Sequence, residues 1–163
     1  MTTIVCSWIN DTKEKTTIHS TLTRYSDKKS ETIKYSKDII NESINDPQVT
    51  YLGHPTKQAD SKLMELKSVA LGLSHLKEND KNIILLMSQN AKNIIQNASN
   101  LIKPENKNKL MTERENFAYI ILRILNDVPN RSYRIYGADH NKINKFLSNN
   151  KLSQQTLNKL ITR

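Results

Sequence analysis

Apolar side chains recur at helical spacing in the middle of the chain, at Leu63, Leu66, Val69, Ala70, Leu73 and Leu76. That spacing predicts an amphipathic helix, with Asp60 at its start and Asn79-Asp80 at its stop. Ile83 to Met87 is an unbroken apolar run, the pattern of a strand covered on both faces. Ser88-Gln89 ends it, and Ala91, Ile94, Ile95 and Ala98 open a new helical stripe. Before this core, Thr2 to Ile9, Lys15 to Tyr25 and Glu31 to Tyr35 are rich in β-branched and aromatic residues. Short polar turns separate them, which predicts an antiparallel meander of three strands. Ile39, Ile40 and Ile44 suit a short helix, and Pro47, Gly53 and Pro55 break the chain before the central helix.

Beyond Ile102, Lys103 to Lys109 reads as a polar loop. Leu110 to Asn126 reads as a helix whose face carries Leu110, Phe117, Ala118, Ile121, Ile124 and Leu125. Pro129-Asn130 stops it, Arg131 to Tyr136 forms a short strand and Gly137 a turn. Ile143, Phe146 and Leu147 mark a short helix, and Leu152 to Ile161 a last amphipathic one. The order β-β-β-α-β-α-α-β-α-α predicts an α/β protein, a mixed five-stranded sheet flanked by helices. Strands one to three are antiparallel and strand four is reached through a helical crossover. No internal repeat or domain boundary interrupts residues 1–163, so one domain is expected.

Composition narrows the class. The chain has 163 residues, 36% hydrophobic and 25% charged, with a formal net charge of +9. That balance favours polyanionic partners, nucleic acid before an acidic membrane. A single cysteine, Cys6, excludes an internal disulfide framework. No apolar run approaches the roughly 18 residues of a membrane span, and the N-terminus lacks the pattern of a signal peptide. A cytoplasmic or nuclear protein, neither secreted nor membrane-bound, is expected. The four histidines, 19, 54, 75 and 140, stand singly without metal-ligand spacing, and there is no phosphate-binding glycine fingerprint.

The order of elements resembles the ribonuclease H-like fold, and the segment from Ala59 to Ile95 is similar to it in sequence. Met64-Glu65-Leu66 through Leu73 resembles the family's first-helix segment, in which an apolar-flanked glutamate sits. Leu86-Met87-Ser88-Gln89 stands where the fourth strand runs into its aspartate. The resemblance implies cleavage of the RNA strand of an RNA–DNA hybrid by two magnesium ions held in a carboxylate cluster. It places the four cluster positions at Ser7, Glu65, Met87 and Lys145. A serine, a methionine and a lysine thus replace three carboxylates, and the lysine ammonium repels cations. A displaced cluster of Asp11, Glu65 and Asp139 is the other register. His140 stands where the family often has a histidine beside its active site.

The expectation is therefore a pseudo-nuclease rather than an enzyme. It keeps a basic face for an RNA–DNA hybrid or duplex and needs no cofactor. Arg131, Arg134, Lys142 and Lys145 are the expected phosphate contacts, flanking the former active site. Two other classes stay open. One is a protein-interaction scaffold within a viral, retroelement or ribonucleoprotein assembly. The other is an active two-metal nuclease, which alone would require Mg2+.

Overall fold

The computed structural model describes residues 2–12, 15–26, 29–40, 50–51, 54–55, 61–101, 112–139, 141–143 and 145. Strands β1 (Thr2–Asp11), β2 (Lys15–Ser26) and β3 (Lys29–Ile40) form the expected antiparallel meander. The third strand is much longer than its Glu31–Tyr35 apolar signal. Ile39 and Ile40, expected in a short helix, continue β3 instead and pair with Thr16 and Lys15. The partner strand supplies ladder hydrogen bonds along the whole length, and that outweighs a weak local helical pattern. Ile44 lies outside the described residues. Two short strands that the pattern did not predict, β4 (Thr50–Tyr51) and β5 (His54–Pro55), pair with each other and, among the described residues, with no other strand.

Helix α1 (Ser61–Leu73) leads to β6 (Asn82–Met87), which lies parallel to β1. Helices α2 (Gln89–Leu101) and α3 (Glu113–Asn126) lead to β7 (Ser132–Gly137), parallel to β6. The five-stranded sheet therefore runs β3-β2-β1-β6-β7, mixed as expected, with β1, β6 and β7 pointing the same way. Thr112 begins α3 with a capping box, its side chain accepting from Glu115 N–H while Glu115 returns the bond to the Thr112 N–H. Asn130, where the chain turns into β7, has φ 64°. Gly137, expected as a turn, is the last residue of β7. Leu110, Phe146, Leu147, the loop at 103–109 and the helix expected over Leu152–Ile161 lie outside the described residues.

Alternation along the strands sorts the core into two sides. Val5, Leu22, Ile83, Leu85 and Met87 face α1, α2 and α3, which pack on them through Leu66, Val69, Ala91, Ile95, Ile121 and Leu125. Ile4, Cys6, Ile84 and Leu86 face the other side and meet Ile143, with Trp8, Tyr25 and Tyr136 around them. Ile83 to Met87 are all buried, which explains why β6 has no polar alternation. Each such side chain contributes about 1.5–3 kcal/mol of burial. Gly72 lets α1 approach the sheet closely. A Cβ there would stand 2.1 Å from Ser20 Oγ and 2.6 Å from Val5 Cγ1. Among the described residues, no helix is long and apolar enough to cross a membrane.

Candidate functional site

Parallel strands present their carboxyl ends at one edge of the sheet, and a crevice outside those ends is where open α/β sheets commonly bind ligands. Here that edge holds a cavity of about 460 Å³. Ser7 and Trp8 of β1, Glu65 of α1, Met87 of β6, Gly137 of β7, and Asp139 and Lys142 beyond it all line this space. Three positions singled out by the resemblance, Ser7, Glu65 and Met87, thus meet at one place although they lie far apart in the chain.

Local chemistry fixes each of them. Ser7 is buried on the helix-covered face, its Oγ 3.1 Å from Ser20 Oγ on β2. Ser88 caps α2: its Oγ accepts from the Ala91 N–H at 3.1 Å and donates to Glu65 Oε2 at 2.5 Å. Glu65 is thereby tied to the amino end of α2, where the helix dipole favours a negative group. Asp139 caps in the same way just after β7, its Oδ1 accepting from Lys142 N–H at 2.9 Å. Ala138 N–H donates to Met87 O at 2.7 Å and carries the β6–β7 ladder past the end of β7, holding Asp139 beside the cavity. Gly137 has no Cβ because the Gln89 side chain lies against it. A Cβ there would be 2.1 Å from Gln89 Oε1.

On the β2 side of the cavity, the indole of Trp8 stacks on His19, ring centroids 4.9 Å apart and planes at 15°. Lys34 Nζ lies 5.6 Å from the indole centroid. Asn10 Nδ2 donates to His19 Nε2 at 3.1 Å, so the ring proton is on Nδ1, which donates to Ser36 Oγ at 2.7 Å. Burial, then the Lys34 ammonium, lower the His19 pKa below its ordinary value, while Asp38 opposes them. The imidazole is accordingly neutral at pH 7.

Several expected residues lie elsewhere. Lys145 is exposed and does not line the cavity. Lys142, nearly one helical turn earlier, takes the place expected for it. Arg131 is not at the site. It precedes β7 at the strand's amino end, roughly 20 Å from Gly137 at about 3.3 Å per residue. Its guanidinium donates to the carbonyls of Asp80, Ile124 and Lys77 at 3.0, 3.3 and 2.9 Å. That makes it a clamp on the chain, away from the cavity. Arg134 is exposed at mid-strand, opposite Ile84. Asp11 accepts from the Thr16 hydroxyl at 2.7 Å in the β1–β2 hairpin and is absent from the cavity wall, so only Glu65 and Asp139 of the displaced register share it. His140 lies outside the described residues. Trp8 and Ser88 are site residues that the sequence pattern did not single out. Serine three residues before the first apolar position of a helical stripe is a readable cap signal for Ser88; Trp8 carries none beyond its place next to Ser7.

A magnesium pair requires several anionic oxygens within reach of both ions. The cavity offers two carboxylates beside two serine hydroxyls, a thioether and an ammonium. Among the described residues no group of three or more His, Cys, Asp or Glu is placed to hold a metal ion. These side chains do not fit the pair. No protein-family model matches the chain, and no curated protein matches it.

Proposed function

We propose that this chain is a ribonuclease H-like domain that binds nucleic acid, an RNA–DNA hybrid or duplex, through a basic face without cutting it. The observation that carries the reading is the meeting of Ser7, Glu65 and Met87 in one cavity, beside the middle of β1 and the carboxyl end of β6. That is where the resemblance puts a carboxylate cluster, and two of the three places hold a hydroxyl and a thioether. The electrostatic half of a nuclease remains in the net charge of +9, and most of its metal-binding half is gone. Arg134 on β7, Lys142 at the cavity and Lys145 beyond it are the contacts that remain in this reading. Phosphate contacts give affinity without sequence information, so binding is weakly specific and governed by shape.

A cleavage assay on hybrid, duplex RNA and single strands with magnesium and then manganese tests the absence of chemistry. No cleavage is expected. Metal-dependent cutting that Glu65→Ala abolishes would establish the nuclease instead.

A further inference from the structure

Trp8 has its two sides in different surroundings. His19 and Lys34 belong to β2 and β3, on one side of β1 in the sheet. Met87, Gly137 and Ala138, which also line the cavity, belong to β6, β7 and the residue after it, on the other side. Trp8 both lines the cavity and stacks on His19, so a two-ring stack stands in the cavity wall. His19 is held by hydrogen bonds at both ring nitrogens, so this aromatic wall is pre-organised.

The polar groups around that wall set the chemistry of an occupant. Glu65 uses Oε2 for Ser88, and Asp139 uses Oδ1 for the Lys142 N–H. Each carboxylate has a second oxygen for a ligand, and a carboxylate only accepts. An occupant must bring a flat ring for Trp8 and N–H donors for the carboxylates. A phosphate does not fit between two carboxylates but does fit beside the Lys142 ammonium. A volume of about 460 Å³ lies within the ordinary range for small-molecule sites.

We infer that the cavity seats one unpaired nucleobase with an exocyclic amino group, stacked on Trp8, the amino group donating to Glu65 or Asp139 and the adjoining phosphate at Lys142. A carboxylate accepting from the amino group of cytosine is a standard pairing, and stacking on an aromatic ring tolerates any base. The inference rests on the nucleic-acid reading above. It adds a preference for a splayed or terminal nucleotide over a continuous duplex, and for cytosine or adenine over uracil.

Trp8 is the only tryptophan in the chain, so its fluorescence reports the site directly. Labelled ten-residue oligonucleotides of C, A or U are titrated while anisotropy follows binding and Trp8 emission follows stacking. Quenching by C and A at lower concentration than by U is expected. Trp8→Ala should weaken binding of the C oligonucleotide about tenfold, and Trp8→Phe should restore most of it. Folding of both variants is checked by circular dichroism. Binding without quenching, in the wild-type protein, overturns the seated base and leaves the phosphate-binding face standing. Equal quenching by U and C overturns the role of the carboxylates. No binding of any oligonucleotide, hybrid or duplex at low salt overturns both readings together.

Discussion

The Arg24 guanidinium grips the Asp80 carboxylate with two prongs, Nε to Oδ1 at 3.0 Å and Nη2 to Oδ2 at 2.9 Å. The carboxylate is fully buried and also accepts from the Thr3 hydroxyl at 2.7 Å and the Lys77 N–H at 2.8 Å. One aspartate thus joins β1, β2 and the turn that leads into β6.

That junction gives a pH dependence. Burial alone would push the Asp80 carboxyl up, but the hydrogen bonds from Arg24, Lys77 and Thr3 outweigh it and hold the pKa at about 2. The folded value is below the unfolded one, near 4. The contribution is therefore complete above pH 4 and is lost as pH falls from about 4 to 2. A shift of that size corresponds to about 2–3 kcal/mol. Urea unfolding at intervals from pH 6 to 2 should show the loss, and Asp80→Asn should flatten the curve. Arg24→Ala should cost more, about 3–5 kcal/mol at pH 7, because it leaves a buried charge unpaired.

Gly72→Ala should destabilise the protein although it improves helix propensity. The gain is about 1 kcal/mol. The new methyl meets Val5 and Ser20 at 2.6 and 2.1 Å, and overpacking of this kind costs typically 1–3 kcal/mol. A lowered melting temperature checks it. Moving Ser20 aside would also disturb its contact with Ser7, so the cost reaches the cavity.

Cys6 is fully buried between strands, and burial pushes its thiol up to about 12. The thiolate is the reactive form. A thiol reagent at pH 8 should therefore label the native protein only as fast as it opens, and label it at once in denaturant. Rapid stoichiometric labelling of the native protein would show that Cys6 is not enclosed as described.

Arg131 and Arg134 are three residues apart in sequence and should behave oppositely. Arg131→Ala removes donors from three carbonyls, at about 0.5–1.5 kcal/mol each or somewhat more for a charged donor. Its effect should appear in stability, with the salt dependence of nucleic-acid binding unchanged. Arg134→Ala should leave stability within about 0.5 kcal/mol, as for most surface changes, and alter that salt dependence. Denaturation and binding titrations on both variants check the contrast.

The elements most legible in the sequence are those with a strong single period. The α1 stripe from Leu63 to Leu73 and the apolar run of β6 appear where the pattern puts them. Ile39 and Ile40 defeat the local pattern because their conformation is imposed by β2, which that pattern does not contain. At the cavity, Ser7, Glu65 and Met87 stand together, and no periodicity or spacing in the sequence brings them there; only the resemblance named them as a group. The choice of Lys142 over Lys145 depends on where the helix starts, and that start is set by Asp139 as a cap. Arg131 looks like a surface cation in the sequence because composition records charge and not the carbonyls that the charge serves. The buried role of Asp80 is hidden for the same reason, since its partners Arg24 and Thr3 are 56 and 77 residues away.

Salt-dependent binding to an RNA–DNA hybrid tests the central claim most directly. Log affinity should fall linearly with log salt, and Arg134→Ala and Lys142→Ala should each reduce the slope by about one unit. A hybrid that does not bind even at low salt, or binds with no dependence on salt, would contradict the account and favour the protein-interaction scaffold.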